Sequence, residues 1–292
     1  MERIGLIGAG RAGTAVVAAL AAAGQPVVGV TARSSASRER AARLLPHVPV
    51  LTADEVCTRA DVIVVAVPDD LIHDVVRMLP LTQQQYVVHL SGAHGLTALS
   101  GVPAVPVALH PSMTFLGEVI SLDGVMFTAT APDDARVLVE RLVKSLGAQV
   151  QWVADEQRAR YHAGLVHGAN HLTTLLTQAI DVLREAGVAD PAATLGPLVS
   201  ATLDNTLRSG HHALTGPIAR GDVDTVAAHL AVLRNRTAST YAELARATVE
   251  LAAADGRLDA ETAARFGEVL NEHPARAAGE VLERDRTGEA PR

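Results

Sequence analysis

Residues 3–13 of the chain, RIGLIGAGRAG, decide the fold that the sequence predicts. The apolar segment 3–8 indicates a buried strand, and the small residues that follow indicate a helix beginning directly after a glycine-rich turn. In such a turn Gly8 permits the tight reversal, Gly10 lets backbone amides approach a pyrophosphate, and Gly13 allows helix and strand to pack closely. The helix N-terminus adds partial positive charge for the anion. We therefore predict a dinucleotide site, the alternative being a similar turn without a ligand, at Gly8, Ala9, Gly10, Arg11, Ala12 and Gly13.

The end of the second predicted strand, Val27–Thr31, bears on which dinucleotide binds. An NAD site places Asp or Glu about 20 residues after the glycine turn, where it bonds the ribose hydroxyls. Here no acid follows the strand before Glu39, whereas Arg33, Ser34 and Arg38 could hold a 2′-phosphate. The sequence thus predicts NADP(H), the alternative being a solvated arginine followed by a serine helix cap.

Strands and helices alternate to about residue 154. Further apolar strands are predicted at 61–67, 86–90, 105–109, 125–130 and 149–153. This alternation predicts parallel pairing in a mostly parallel, doubly wound Rossmann sheet. From Asp155 to about Phe266 the periodicity is helical, beginning with one long helix over residues 156–185. We predict an α/β dinucleotide-binding domain at 1–154, an all-α substrate and dimerisation domain at 155–273 and a disordered tail at 274–292.

The bulk composition excludes several classes of function. The 292 residues carry a formal net charge of −7, which argues against nucleic acid as a partner. No apolar run approaches the roughly 20 residues of a transmembrane helix, and the first residues enter a strand rather than a secretory leader. The single cysteine, Cys57, cannot form an internal disulfide and suits a reducing compartment. We expect a cytoplasmic protein whose partner is a small-molecule substrate, without nucleic acid or membrane.

Ligands of open α/β sheets bind outside the carboxyl ends of the strands, and three predicted strand ends carry unusual polar chemistry. The third strand ends at Val67 and Pro68, where the turn could line the ribose of the cofactor. The next two strands end in SGAHG (91–95) and HPSMTF (110–115). A loop histidine can also be purely structural. From these loops we predict substrate binding by Ser91, His94 and Thr114, and catalysis by His110.

The long predicted helix carries a second polar group. His167, Asn170 and His171 lie at i, i+3 and i+4 and share one face. The two histidines also fit a zinc pair, but the acid of a His-Glu-x-x-His motif is missing, so no metal is predicted. We predict His167 and Asn170 as catalytic, the alternative being satisfied polar groups at an interdomain or dimer surface. Further along, Arg220 could bind a substrate carboxylate or could pair with Asp222 at the next helix.

Four motifs together resemble a known family. They are GLIGAGRAGTAV (5–16), SGAHGLTAL (91–99), ALHPSMTF (108–115) and ALTGPIARGD (213–222). They resemble Rossmann-like proteins with a C-terminal domain of unknown function (DUF2520), similar to the superfamily of 6-phosphogluconate dehydrogenase, pyrroline-5-carboxylate reductase and ketopantoate reductase. The resemblance covers nearly the whole chain and implies a nicotinamide cofactor and a homodimer formed through the helical domain. It also implies, as the leading substrate, 2-dehydropantoate, which ketopantoate reductases reduce to pantoate for pantothenate synthesis.

The chain departs from the better-known relatives in its lysines. β-Hydroxyacid dehydrogenases and the usual ketopantoate reductases use a lysine of the helical domain as acid and base, with an asparagine one turn later. The only lysine here, Lys144, lies in the first domain, and Val166 stands four residues before Asn170. We therefore expect a histidine to supply the proton, His110 first and His167 second, because imidazole titrates near neutrality. The alternatives are reduction of a cyclic imine, which arrives with its own proton, and nucleotide sensing without turnover.

Overall fold

The structure, a computed structural model, describes residues 1–118 and 121–271. The chain divides into two compact units, the first being Met1–His171 and the second beginning at Leu172. The tail predicted at 274–292 lies outside the described residues. Among the helices that the structure describes, none combines the length and the apolar character needed to cross a bilayer.

The first unit is built on one seven-stranded sheet, with strands in the order β2-β1-β3-β4-β5-β6-β7. The strands are β1 (Ile4–Ile7), β2 (Val27–Val30), β3 (Val62–Val65), β4 (Tyr86–His89), β5 (Val105–Pro111), β6 (Met126–Thr130) and β7 (Gln149–Trp152). The prediction of a mostly parallel doubly wound sheet is confirmed, but β5 and β6 pair antiparallel. The described residues between these two strands contain no helix. Since a parallel return needs a crossover connection, usually helical, this part of the chain reverses direction instead.

Six helices accompany the sheet. They are α1 (Arg11–Ala22), α2 (Ser35–Leu44), α3 (Ala53–Arg59), α4 (Ile72–Arg77), α5 (Arg136–Ser145) and α6 (Arg158–Leu165). A π-helical turn, Val166–Asn170, follows α6. The single long helix predicted over residues 156–185 is therefore interrupted by this turn. Such π-helical turns often occur at functional sites. The first unit also runs beyond residue 154, where the sequence predicts its end, and includes α6.

The core of the first unit lies on both faces of the sheet. In β3, Val62 and Val64 belong to one buried apolar cluster, whereas Ile63 and Val65 belong to another. Successive strand residues point to opposite faces, so a strand covered on both sides needs an unbroken apolar run. This requirement explains the β-branched run VIVV at the centre of the sheet. Because both faces are covered, the strand ends are the part of the sheet that is open to ligands.

The second unit is all-α, as predicted. Its helices are α7 (His171–Glu185), α8 (Pro191–Ser209), α9 (Val223–Val232), α10 (Asn235–Ala254) and α11 (Ala260–Asn271). Its buried apolar cluster comes mainly from the last three helices, with Leu230, Ala252 and Phe266 at 1% exposure or less. Asp222 caps α9 by accepting a hydrogen bond from the backbone N–H of Thr225, which stabilises the helix start.

Candidate active site

The glycine turn after β1 has the geometry that the sequence predicts. Gly8 has φ +88°, and a Cβ atom there would lie 2.7 Å from the carbonyl oxygen of Ala66. A Cβ atom on Gly13 would lie only 2.1 Å from the Cβ of Ala66. Gly8 is therefore required by its backbone conformation, and Gly13 by the close approach of α1 to the residue that follows β3.

The start of α1 is suited to an anion. Gly10 is the N-cap residue, and among the described residues no side chain caps this helix and no acid occupies its first turn. The backbone N–H of Gly8 donates to Thr31 Oγ1 at 2.8 Å, which ties the turn to the end of β2. Arg40 donates through Nη1 to the carbonyl oxygen of Ala9. The uncapped N–H groups and the helix dipole fit a pyrophosphate.

At the end of β2 the structure separates two roles. Ser34 is the N-cap of α2 and accepts a hydrogen bond from the backbone N–H of Ser37 at 3.1 Å. This is the capping role that the sequence left open as an alternative. Arg33 is exposed, and its carbonyl oxygen accepts a hydrogen bond from Arg38 Nη1 at 2.6 Å. Two guanidinium groups thus belong to the strand end where a dinucleotide ribose binds in such sheets.

The loop after β4 is held by a network around Ser91. The hydroxyl of Ser91 donates to Asp69 Oδ2 at 2.6 Å and stands 3.0 Å from His94 Nδ1. Since the hydroxyl proton goes to the carboxylate, His94 Nδ1 must be the donor in the second bond. Ser91 is buried, and the structure brings together the predicted residues Ser91 and His94 with Asp69, which the predicted site did not include.

His89 and Asp155 also hold the loop after β4 in place, each through hydrogen bonds to its backbone. His89 Nδ1 accepts from the backbone N–H of Ser91 at 3.2 Å, and Nε2 faces the carbonyl oxygen of Gly95 at 3.1 Å. The ring is therefore the tautomer with its proton on Nε2. Asp155 Oδ1 accepts from the backbone N–H of Leu96 at 2.6 Å. A Cβ atom on Gly95 would lie 2.1 Å from that same oxygen, so this position requires glycine.

At the end of β5, His110 belongs to a second network. The hydroxyl of Tyr161 lies 2.8 Å from His110 Nδ1 and 2.8 Å from Ser112 Oγ. The rings of His110 and Tyr161 meet edge to face with centroids 5.8 Å apart. A Cβ atom on Gly92 would lie 3.0 Å from His110 Nε2, so the loops after β4 and β5 meet at this histidine. Tyr161, His110 and Ser112 form one connected group of proton-carrying side chains.

Burial and a nearby buried cation, Arg158, together determine the charge of His110. Arg158 is 1% exposed and donates to Thr130 Oγ1 and to the carbonyl oxygen of Ser91, both at 2.9 Å. Burial, followed by the positive charge of Arg158, lowers the pKa of His110 to about 4. The imidazole of His110 is therefore neutral at pH 7. The reason for choosing it as the proton donor, a pKa near neutrality, is wrong for this site, because the sequence does not reveal the buried guanidinium.

Within the part of the chain that the structure describes, the remaining predicted residues make no hydrogen bond to these two groups. His167 and Asn170 are exposed on the π-helical turn, where His167 Nδ1 lies 3.4 Å from His171 Nδ1. Thr114 is exposed in the loop after β5, and Val67 and Pro68 follow β3, which ends two residues earlier than the predicted strand. Arg220 belongs to the helical unit, at the end of the 3₁₀ turn Ile218–Arg220. The catalytic and substrate-binding roles of these residues stay predictions.

Several residues of the two networks are missing from the predicted site: Asp69, His89, Ser112, Asp155, Arg158 and Tyr161. Asp69 and Ser112 lie in the predicted strand-end loops, and the spacing of Arg158 and Tyr161 places these two on one face of α6. Their partners are far away along the chain; Arg158, for example, is 67 residues from Ser91. Sequence spacing does not predict such contacts.

Two buried neutral histidines predict how stability depends on pH. Burial is the largest cause that lowers the pKa of both His89 and His110 to about 4. The unfolded chain, whose histidines titrate near 6.5, then binds more protons than the folded chain between about pH 6.5 and pH 4. We expect the urea midpoint to be highest above this window and to fall as the pH is lowered through it. In the His110→Gln variant the urea midpoint should fall less steeply over the same pH range. If its pH profile equals that of the wild type, His110 is not a neutral, desolvated ring in the folded chain.

Domain models match both halves of the chain. Residues 2–111 match the Rossmann-like domain, and residues 125–248 match a domain of unknown function, DUF2520. These matches confirm the two domains that the sequence resemblance implies. The second match begins in the sheet and continues into the helical unit, so it is not restricted to the helices. No curated protein matches the sequence.

Solved structures share the fold over most of the chain. BF3122 of Bacteroides fragilis, for which an NADP oxidoreductase activity has been suggested, is 22% identical with a TM-score of 0.74 and covers 85% of this chain and 98% of its own. Protein TM1727 of Thermotoga maritima is 20% identical with a TM-score of 0.67 and coverages of 87% and 99%. An imine reductase from Pseudomonas sp. is 19% identical with a TM-score of 0.65 and coverages of 91% and 98%. At these identities the comparison establishes the common fold.

Proposed function

We propose that this chain, which joins a Rossmann-like domain to a DUF2520 domain, is an NADP(H)-dependent reductase of a C=O or C=N bond in a small molecule. The observation that carries this proposal is the hydrogen-bonded group of Tyr161, His110 and Ser112. His110 lies near the end of β5, in the same sheet whose first strand leads into the glycine turn. A reductase needs both parts, one to hold the dinucleotide and one to supply a proton.

The residues of the first unit fit the cofactor. The backbone N–H groups at Gly10 and the start of α1 would hold the pyrophosphate, and Arg33 would hold the 2′-phosphate. When bound, NADPH supplies a hydride to the electrophilic carbon of the substrate. The oxygen or nitrogen that gains the electron pair of the broken π bond then needs a proton from the protein.

We assign Tyr161 as the proton donor. Its hydroxyl proton passes to the oxygen or nitrogen of the substrate, leaving a phenolate. In the tautomer that carries its proton on Nδ1, the neutral His110 donates a hydrogen bond to that phenolate, and the hydroxyl of Ser112 donates a second. Arg158 fixes the carbonyl of Ser91, and its charge adds to burial, the larger cause, in lowering the pKa of His110. Tyr161 touches the substrate in this proposal, whereas Arg158 is a positioning residue.

For the substrate, a small oxo acid remains the leading proposal, with 2-dehydropantoate foremost because of the sequence resemblance. The imine reductase among the similar structures supports the C=N alternative. The loss of NADPH absorbance should be followed with 2-dehydropantoate, pyrroline-5-carboxylate and a panel of oxo acids and cyclic imines. Turnover of one class identifies the bond that is reduced. Tight NADPH binding without turnover of any of them would contradict the enzyme and favour a nucleotide sensor.

The preference for NADP(H) rests on Arg33. We expect Arg33→Asp to raise the KM for NADPH about tenfold to hundredfold, because a charge-assisted hydrogen bond contributes about 1.5–3 kcal/mol. The KM for NADH should change less, since NADH lacks the phosphate. Arg59→Ala is the matched control. Arg59 precedes β3 and so lies near the amino ends of the strands, whereas the cofactor is proposed to bind at their carboxyl ends. Equal KM changes for the two cofactors would overturn the assignment of the phosphate to Arg33.

A further inference from the structure

A cluster of potential metal ligands lies in the helical unit. Its residues are distant in sequence from the candidate active site. His211 and His212 occupy the 3₁₀ turn that follows α8, and Asp255 follows α10. His211 Nε2 lies 3.1 Å and His212 Nδ1 lies 3.7 Å from the same oxygen, Asp255 Oδ1. One ligand atom from each of the three residues can be chosen so that all lie within 4.8 Å of one another.

These distances suit a tetrahedral metal ion. Zinc binds histidine nitrogen and carboxylate oxygen at about 2.0–2.2 Å, so two ligand atoms of a tetrahedral site stand about 3.4 Å apart. The two measured separations, 3.1 and 3.7 Å, lie on either side of this value. The two imidazole rings are direct neighbours, with centroids 4.2 Å apart. Neutral imidazole is the commonest protein ligand of transition metals, and a carboxylate oxygen completes the set of three.

The carboxylate is held in place by a residue outside the set. Arg257 Nε donates to Asp255 Oδ2 at 2.7 Å, which leaves Oδ1 facing the histidines. The same guanidinium donates to the carbonyl oxygens of His212 and Leu214 at 3.0 and 2.8 Å. Arg257 therefore fixes the carboxylate and the histidine turn relative to each other. Support of this kind from outside the ligand set is usual at metal sites.

The exposure of the three side chains also suits a metal site. The side chain of Asp255 is 16% exposed, whereas those of His211 and His212 are 49% and 67% exposed. An ion can therefore reach the site from solvent. Gly210, with φ +58° and ψ −139°, shapes the chain reversal that presents the two histidines.

We propose that His211, His212 and Asp255 bind one divalent transition-metal ion, zinc in the first place, with water as the fourth ligand. The ion would connect the chain after α8 to the chain after α10 and stabilise the helical unit. The expectation that no metal binds rested on the pair His167 and His171, which lacks an accompanying acid. This site is independent of the proposed reductase activity, so each can fail without the other.

The test uses the full-length, untagged protein, stripped of metal with a chelator. Titration calorimetry with ZnCl₂ should give one zinc per chain, and CoCl₂ should give the visible absorption of tetrahedral cobalt. Asp255→Asn and His212→Ala should each weaken zinc binding at least about a hundredfold, and Arg257→Gln by about tenfold to a hundredfold, as is typical outside the ligand set. Zinc should raise the Tm of the wild type and leave that of His212→Ala unchanged.

His73→Ala is the matched control. His73 is also exposed and lies 3.5 Å from a carboxylate oxygen of Asp74, but that site has only one histidine. This variant should bind zinc as the wild type does. The proposal is overturned if the wild type binds no zinc at micromolar concentration or if His212→Ala binds it equally well. It is equally overturned if His167→Ala abolishes binding and neither Asp255→Asn nor His212→Ala does.

Discussion

Replacing Tyr161 with phenylalanine is expected to lower kcat by about 10²–10⁴-fold, the usual contribution of a general acid. The phenylalanine ring retains the shape of the side chain and loses only the hydroxyl that joins His110 to Ser112. The KM for NADPH should change little, because the residues assigned to the dinucleotide are untouched. Single-turnover oxidation of NADPH on the substrate identified from the panel measures the effect on the chemical step.

The chain offers a close control for this variant. In the helical unit, the hydroxyl of Tyr241 lies 2.8 Å from His229 Nδ1, and the two rings again meet edge to face at 5.8 Å. Tyr241→Phe therefore removes the same kind of hydrogen bond from a residue to which the proposed mechanism gives no role, and kcat should stay within about twofold. A similar loss in both variants, or less than tenfold loss in Tyr161→Phe, would exclude Tyr161 as the proton donor.

Gly13→Ala is expected to have the second large effect, on stability and on cofactor binding together. The new methyl group would lie 2.1 Å from the Cβ of Ala66, so α1 must move away from the sheet. Overpacking of this kind costs about 1–3 kcal/mol or more. Alanine is tolerated at the third glycine of many dinucleotide turns, and Ala66 is the reason that this chain should not tolerate it. Urea unfolding and NADPH binding measure the two effects.

Gly267→Ala is the opposite case. A Cβ atom on Gly267, within α11, would meet nothing within 4 Å. Because glycine is unfavourable inside a helix, this change should stabilise the protein by about 0.5–1 kcal/mol. Gly13→Ala and Gly267→Ala therefore have opposite expected signs for the same chemical change. Equal stability of the two variants would mean that the close approach of α1 to Ala66 does not constrain the fold.

Much of the fold could be predicted from short stretches of sequence. The glycine turn, the apolar run at 62–65 and the strand and helix alternation depend on neighbours close in the chain. The antiparallel pairing of β6 and the π-helical turn at 166–170 were not predicted, because both depend on how distant segments pack. The dimer through the helical domain stays a prediction.

The candidate site was predicted only in part. The strand ends that carry Ser91, His94 and His110 were identified because parallel strands bring their carboxyl ends to one edge. The pKa of His110 could not be predicted, because it is lowered by burial and by Arg158, which lies 48 positions later in the chain. Tyr161 was passed over because nothing adjacent to it in sequence shows that it meets His110 and Ser112.

By itself, the sequence determined where the dinucleotide turn lies and which strand ends carry polar groups. These features follow from local backbone requirements: glycine where φ is positive or space is lacking, and unbroken apolar runs where both faces are covered. Only the tertiary structure decided which side chains far apart in the chain meet, such as Tyr161 with His110, and Asp255 with the histidines after α8. It also decided which histidines are desolvated, because burial depends on packing between distant segments.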